Sequence, residues 1–367
     1  MAERVVVAGV GMVPFALPGA CAPALAERAI HAALDDAGVD IELIDQAVSS
    51  HVRGDASAGE RALARAGVTG VAISNVSNGC ASGSVAVFHA RQALLSGEAQ
   101  CVLAVGFEDT GEALRTADER LPACSARLES LADRMDDADE TFARVAVKAR
   151  AHAMRNPNAT HREPLSIGQA RASPFVAGRM RRSYVSDASC GAAALVLCSP
   201  RFAALHGLRD DVLLVAHALE SDDPVDPSSR DIVDNVSTST TRRVAERAYE
   251  SAGIDPTDVD VAEVHDCCVA DELISCAALG LCAHDDIDRF VRCGANTYGG
   301  SVVVSPSGGT LSMGYSPGAT GIAQLCELAW QLRGEAAARQ VGGARIGVQH
   351  NGAPGGAVSV AILRRAV

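Results

Sequence analysis

Hydrophobic positions along this chain follow two rhythms. Short apolar runs bounded by Gly, Asp or Asn read as buried strands, and longer stretches with an apolar residue every three or four positions read as helices. The pattern predicts strands at Val5–Gly9, Gln46–Val52, Val71–Val76, Cys101–Gly106, Ala192–Leu197 and Val212–Ala218. It predicts helices at Pro23–Gly38, Ala81–Gly97 and Thr141–Met154. Strands and helices alternate, which is the grammar of an α/β fold. Residues 108 to about 190 break the rhythm. Glu108–Asp139 is charge-rich and poor in apolar periodicity, so this stretch is expected to be a loop region inserted over one face, where substrates are usually gripped.

The second half echoes the first. Ala26-Glu-Arg-Ala29, Ala37-Gly-Val-Asp40 and His51 return as Ala245-Glu-Arg-Ala248, Ala252-Gly-Ile-Asp255 and His265. Ala81-Ser-Gly83 and Leu95-Ser-Gly-Glu-Ala99 return as Ala319-Thr-Gly321 and Leu332-Arg-Gly-Glu-Ala336. Two echoes in the same order indicate a duplicated α/β unit. The expected halves are residues 1–219, loop region included, and 231–367, with Glu220–Arg230 as the linker.

Composition narrows the class. At 367 residues, 48% hydrophobic and 21% charged, the chain has ample material for a core. A net charge of −13 argues against a nucleic-acid partner. No stretch approaches the roughly 18 apolar residues of a membrane span, and no leader is evident, so a cytoplasmic location is expected. The twelve cysteines form no CxxC pair and no regular framework, so they read as reduced thiols without a metal site. Lys148 is the only lysine, which leaves phosphate recognition to arginine.

One cysteine stands apart. Cys80 follows the strand Val71–Val76 and the tight-turn pair Asn78-Gly79, and it directly precedes the helix from Ala81. This places a thiol at a helix N-terminus, where orphan N–H groups and the helix dipole favour a thiolate nucleophile. A small buried core cysteine is the structural alternative. In the second half, three strand ends or turns carry chemistry: Glu263-Val-His265-Asp-Cys267-Cys268, the glycine-dense Gly314-Tyr315–Gly321, and Gly347-Val-Gln-His350-Asn351. Active sites of α/β sheets gather beyond the carboxyl ends of strands. Cys80, His265, Cys267, Tyr315 and His350 together suit acyl transfer through a thioester: a thiolate takes the acyl group, a histidine or second thiol moves protons, and N–H groups hold the oxyanion. Each also has a structural reading, as a strand cap, core thiol, loop anchor or packing ring. His51 ends a strand on the same side and is a pocket candidate. Ser307, Gly308, Gly309, Asn351 and Gly355 are the further substrate-binding candidates, the glycines allowing close backbone approach. His89 reads as structural, and His152 sits where it could touch a ligand.

These motifs resemble the thiolase superfamily, in particular the sterol-carrier-protein-type thiolases. The likeness runs nearly end to end and is carried by Glu263-Val-His-Asp-Cys267, Asn296-Thr-Tyr-Gly-Gly300, Pro306-Ser-Gly-Gly309, Gly318-Ala-Thr-Gly321 and Gln349-His-Asn351. The resemblance implies a duplicated thiolase fold, five-layer α/β/α/β/α, with an inserted loop domain. It implies that Cys80 is the acylated nucleophile and that His265 helps hold a thioester carbonyl. It further implies that Cys267 is the second, acid/base cysteine and that His350 lies near an oxyanion hole. A coenzyme A thioester would be the substrate, no separate cofactor is implied, and the expected assembly is a homodimer.

The chain departs from the family where Gly-His-Pro is expected, because it has Gly314-Tyr315-Ser316. Tyrosine, with an ordinary pKa near 10, is a poor base at neutral pH but a serviceable donor. Cys190-Gly-Ala-Ala193 replaces Asp-Gly-Ala-Ala, and Thr110–Ala138 is short and divergent.

Three functions follow as expectations. The first is an acyltransferase that forms or cleaves a C–C bond on a CoA thioester through acyl-Cys80, with His350, Cys267 or His265 as base. The second is a retro-aldolase in which Tyr315 is the acid/base, Cys80 is vestigial, and a small zinc-ribbon/OB-type protein is the partner. The third is a non-catalytic acyl-CoA-binding subunit. The retained thiols and histidines favour the first.

Overall fold

In the computed structural model, residues 4–16, 22–108, 120–222, 236–352 and 356–366 are described. The predicted strands form where expected: β1 (Val5–Met12), β2 (Gln46–Ser50), β3 (Ala72–Val76), β4 (Cys101–Glu108), and, beyond a small hairpin of β5 (Phe175–Ala177) and β6 (Met180–Arg181), β7 (Gly191–Cys198). Their order is β3-β2-β4-β7-β1, with β3, β2 and β4 parallel and β7 antiparallel to both β4 and β1. The second half supplies β8 (Val212–Ser221), β9 (Val261–Glu263), β10 (Val303–Val304), β11 (Ile346–Gly352) and β12 (Ala357–Arg365). Their order is β10-β9-β11-β12-β8, with the same pattern of parallel and antiparallel pairs. The repeated sequence grammar is therefore a repeated topology.

At the junction Val5 and Val6 pair with Leu214 and Leu213, so the two five-stranded sets are continuous. β8 thus holds in the second set the place that β1 holds in the first. By topology β8 groups with the second set, whereas the expected boundary at 219 counts it with the first half. Glu220, expected to open the linker, is part of that strand and is paired with Arg243 and Arg247. Residues 223–230 of the linker lie outside the described residues.

Five layers result. The apolar runs of the central strands are buried on both faces, as parallel α/β sheets require. One face of the first set packs on the helices Ala22–Ala37 and Ala58–Arg65. One face of the second packs on Val236–Ala252 and Val269–Ala278. The other faces share a core built around the helices Ser82–Ser96 and Thr320–Arg333. These two helices meet at their N-termini with almost no separation. A Cβ on Gly83 would lie 3.0 Å from both Gly318 O and Ile322 N, and one on Gly321 would run into Ser84. The repeated Ala-Ser-Gly and Ala-Thr-Gly motifs are thus the two sides of one contact.

Residues 120–190 carry helices and a hairpin rather than a loop. The helix Leu121–Ala132 forms within the stretch that lacks obvious periodicity, and it buries Cys124, Leu128 and Leu131. It joins the helix Ala138–Ala153, whose N-terminus is capped by the Asp137 side chain, around a separate core with Met180, Tyr184 and Leu273. The buried Cys124, Leu128 and Leu131 of Leu121–Ala132 do recur at helical spacing, but this short apolar stripe lies within a charge-rich stretch that masks it.

Candidate active site

Cys80 sits on a turn shaped by its neighbours. Gly79 has φ +53, and the Ser82 hydroxyl donates to Gly79 O while accepting from Asn78 N, each at 2.7 Å. The helix begins at Ser82, so the half-buried Cys80 thiol lies beside the helix N-terminus as predicted. Because Gly83 and Gly321 bring the two central helices together, the turn before Thr320 comes to the same place. Tyr315, on that turn, donates its hydroxyl to Cys80 Sγ at 2.7 Å.

Three second-half residues complete the cluster. His265 follows β9, packs edge-on against the Tyr315 ring at 5.7 Å, and pairs through Nε2 with Cys267 Sγ at 3.0 Å. Its Nδ1 is buried with no protein partner. Burial pushes the His265 pKa down, but the hydrogen bond and charge of nearby Cys80, with Asp271 and Asp266, outweigh it and leave the pKa above the ordinary value. An imidazole so placed accepts a proton readily. His350 behaves oppositely. Burial and the neighbouring His265 lower it to about 3, so it is a neutral imidazole at physiological pH. Its Nε2 faces Thr241 Oγ1 at 3.4 Å and its Nδ1 lacks a partner.

Tyr315 is held well above its ordinary pKa by burial and by the charges of Cys80 and Cys267, against the opposing pull of Arg120. It is therefore a neutral phenol that donates, rather than a base. Burial likewise pushes the Cys267 thiol up, while Arg120 pulls it down.

The other candidates make contacts within the fold. His51 lies flat on Phe107, ring centroids 5.5 Å apart, and its Nε2 faces the Asp55 carbonyl at 3.3 Å. His152, expected within reach of ligand, is buried between the Ser305 carbonyl and the Thr297 hydroxyl. Ser307 gives both its N–H and its hydroxyl to Glu263, at 3.0 and 2.8 Å. Gly308 and Gly309 have φ of +100 and +62, and a Cβ on them would meet Ala153 and the Asp266 carboxylate. The fold's own atoms already fill the space a side chain at either glycine would need. Asn351 donates to Gln324 Oε1 at 3.2 Å and keeps its Oδ1 buried and unpartnered, so it remains able to bind. Gly355 lies outside the described residues.

Sequence reasoning missed several residues that shape the site. Glu108, at the end of β4, accepts from Val52 N, Arg53 N and Gly318 N, tying both halves together at the cluster's edge. Asp266 accepts from Thr310 N at 2.6 Å, and burial with the charge of Glu272 raises it to about 7. Lys148, the sole lysine, is buried and pairs with Glu272 at 2.6 Å rather than facing solvent. Arg120 reaches the cluster from the divergent region. Their partners are remote in sequence, so no local spacing marks them.

Among the described residues the cysteines are free thiols. Cys124, Cys268 and Asp271 place potential ligand atoms within 4.8 Å of one another, a grouping not visible in the spacing. Arg127 already neutralises Asp271 there, at 2.5 Å. Among the described residues no helix is long and apolar enough to cross a membrane.

Comparison with known proteins identifies the family and the fold. The profile of the thiolase N-terminal domain matches residues 5–138, and that of the thiolase C-terminal domain-like family matches 226–365. Sterol carrier protein 2 of Homo sapiens is 37% identical over 99% of this chain and 72% of its own length. Non-specific lipid-transfer protein-like 2 of Caenorhabditis elegans is 31% identical over 98% of this chain and 96% of its own. An acetyl-CoA acetyltransferase of Methanothermobacter thermautotrophicus is 34% identical over 82% of each chain. Among solved structures, the Ltp2-ChsH2(DUF35) aldolase superposes with a TM-score of 0.85 at 22% identity, covering 99% of this chain and 98% of that one. Human mitochondrial 3-ketoacyl-CoA thiolase superposes with a TM-score of 0.79 at 18% identity over the whole of both chains. The two structures share the fold. The sequence likeness over the whole chain carries the assignment: this protein belongs to the thiolase superfamily, in the branch of the sterol-carrier-protein-type thiolases.

Proposed function

We propose that the protein is a thiolase-like acyltransferase that forms or cleaves a carbon–carbon bond on a CoA thioester through an acyl-Cys80 intermediate. The observation that carries this reading is the closed circle of Cys80, Tyr315, His265 and Cys267. It supplies a base for the nucleophile even though the family's usual histidine is Tyr315.

In the synthetic direction Cys80 gives its proton to His265, and the thiolate attacks the thioester carbonyl. The new C–S bond forms, the C–S bond to coenzyme A breaks, and the leaving thiolate takes the proton from His265. The Cys267 proton then passes to His265, and the Cys267 thiolate removes an α-proton from the acceptor thioester. The resulting carbanion attacks acyl-Cys80. A C–C bond forms, the bond to Cys80 breaks, and Cys80 takes its proton back from His265. Tyr315 steadies the Cys80 sulfur as a donor, and neutral His350 is an N–H donor for the developing oxyanion. Acyl-CoA is the small-molecule partner, and a homodimer in the cytoplasm is part of this reading. β3, at the edge of its sheet with half-exposed side chains, is a free strand edge.

A second reading also has an observation behind it. A phenol held well above its ordinary pKa at the centre suits acid catalysis, and the Ltp2-ChsH2(DUF35) aldolase shares this fold. On that reading Tyr315 is the acid/base of a retro-aldol step on a CoA thioester, and a small zinc-ribbon/OB-type partner of the DUF35 kind completes the enzyme.

Intact mass spectrometry after incubation with several acyl-CoAs separates the readings. A mass gain that maps to Cys80 and disappears in Cys80→Ala is the expected result. Turnover that survives Cys80→Ala but not Tyr315→Phe overturns it in favour of the aldolase. Binding of acyl-CoA with neither labelling nor turnover leaves a non-catalytic binding subunit.

A further inference from the structure

Arg120 stands directly before the helix Leu121–Ala132. Its guanidinium lies over the Tyr315 ring, 4.5 Å from the ring centroid. Nη1 donates to Ser186 Oγ at 2.9 Å and lies 3.7 Å from Cys267 Sγ, and Nη2 donates to Ser186 O at 3.2 Å. One permanent cation is therefore pinned between the phenol that touches Cys80 and the thiol that touches His265. Among the described residues, the groups facing Cys267 include His265, Tyr315, Arg120, Asp271 from the helix Val269–Ala278 and Cys124 from the helix Leu121–Ala132, with Arg127 paired to Asp271. Asp271 and Cys124 disfavour a thiolate there, and His265 must shed its own charge to accept a proton. Arg120 is the guanidinium that reaches Cys267 itself, whereas Arg127 is held by Asp271.

We propose that Arg120 is a positioning residue for proton transfer, stabilising the Cys267 thiolate during carbon–carbon bond formation while holding the Tyr315 ring against Cys80. The planar guanidinium is suited to both tasks at once, because it stacks on the ring with its face and donates with its edge. The inference rests on reading Cys267 as the acid/base of an acyl-transfer site. A cation at this distance in a buried site changes a neighbouring thiol's ionisation by roughly tenfold to a hundredfold.

Two measurements test it on the full chain. The first follows acyl-Cys80 formation and turnover in Arg120→Gln and Arg120→Lys. Arg120→Gln is expected to slow turnover roughly a hundredfold but acylation less than tenfold, with Arg120→Lys recovering most of the loss. The second follows iodoacetamide alkylation of Cys267 by peptide mapping, between pH 7 and 9.5, with Cys80→Ser as background. Here Arg120→Gln is expected to lower the rate roughly tenfold at each pH, and Arg120→Lys to restore it. If Arg120→Gln proves unstable, Ser186→Ala, which releases the guanidinium but retains its charge, serves instead with a smaller shift in the same direction. An unchanged Cys267 alkylation profile in a folded variant overturns the proposal. Absence of acyl-Cys80 in the unmodified protein overturns the acyl-transfer reading instead, and the alkylation arm still reports on Arg120.

Discussion

The Tyr315 hydroxyl and the Cys80 sulfur are joined by a 2.7 Å hydrogen bond across 235 residues of sequence. The phenol is buried and keeps its proton, so the bond runs from oxygen to sulfur and is strongest when the sulfur is a thiolate. Tyr315→Phe removes the donor and leaves the ring. A hydrogen bond to a charged group contributes about 1.5–3 kcal/mol, so acylation should slow roughly 10- to 150-fold with little change in thermal stability. Rapid-quench mass spectrometry of acyl-Cys80 checks this, and an unchanged rate would show that the phenol does not act on the sulfur.

The geometry behind that bond depends on Gly321. A Cβ there would press on the Ser84 hydroxyl and lie 2.6 Å from Ser84 N, both part of the facing helix. Gly321→Ala should force the two helix N-termini apart, cost about 1–3 kcal/mol of stability and slow acylation as well. Urea unfolding read beside the acylation rate measures both, and a loss of stability alone would mean the helices adjust without moving Cys80 from Tyr315.

Lys148 and Glu272 form a buried pair at 2.6 Å, and the ammonium also donates to Val304 O at 3.0 Å. Lys148→Met strands the Glu272 carboxylate in the interior and should cost about 3–5 kcal/mol. Adding Glu272→Leu removes the stranded charge and should recover at least half of that loss. Denaturant midpoints of the single and double variants decide it; a double variant no more stable than the single one would contradict the account.

Asp266 sets a pH dependence whose sign is opposite to that of an ordinary carboxylate. Its folded pKa is about 7 against an ordinary 3.8, so from about pH 4 upward the folded state holds a proton that the unfolded chain has lost. Its contribution is fully present below pH 4 and is lost as the pH rises through 7. Asp266→Asn keeps an oxygen for Thr310 N–H and should be more stable than the parent by about 1–4 kcal/mol at pH 8, with little difference at pH 4.5. The neutral histidines His152, His217 and His350, each near 3, act in the reverse sense: their contribution is present above 6.5 and is lost as the pH falls toward 3. Thermal unfolding of parent and variant at the two pH values isolates Asp266, and an equal difference at both would refute this assignment.

How far the chain could be read depended on the range of the physical signal. The strands showed because burial on both faces demands uninterrupted apolar runs, and these are local. Cys80 showed because Asn78-Gly79 and the helix starting at Ser82 are adjacent to it. The helix Leu121–Ala132 did not show, because its partners Tyr184 and Leu273 come from distant segments and one narrow buried stripe suffices. His51 and His265 occupy equivalent strand ends, yet one stacks on Phe107 and the other joins Cys267. The ends are alike, and what packs against them is not.

The α/β alternation, the duplication, the turn that carries Cys80 and the family were all legible in the chain alone, because each rests on residues close together or on repeated motifs. Three-dimensional packing alone showed that β8 pairs with β12 in the second five-stranded set, that Ser307 and Gly309 lie against Glu263 and Asp266 while Gly308 lies against Ala153, and that Tyr315 and His265 stand beside Cys80 with Cys267 and Arg120 next to them. Those relations depend on packing between segments tens to hundreds of residues apart, and at Cys80 the close approach of Gly83 and Gly321 brings the segments together.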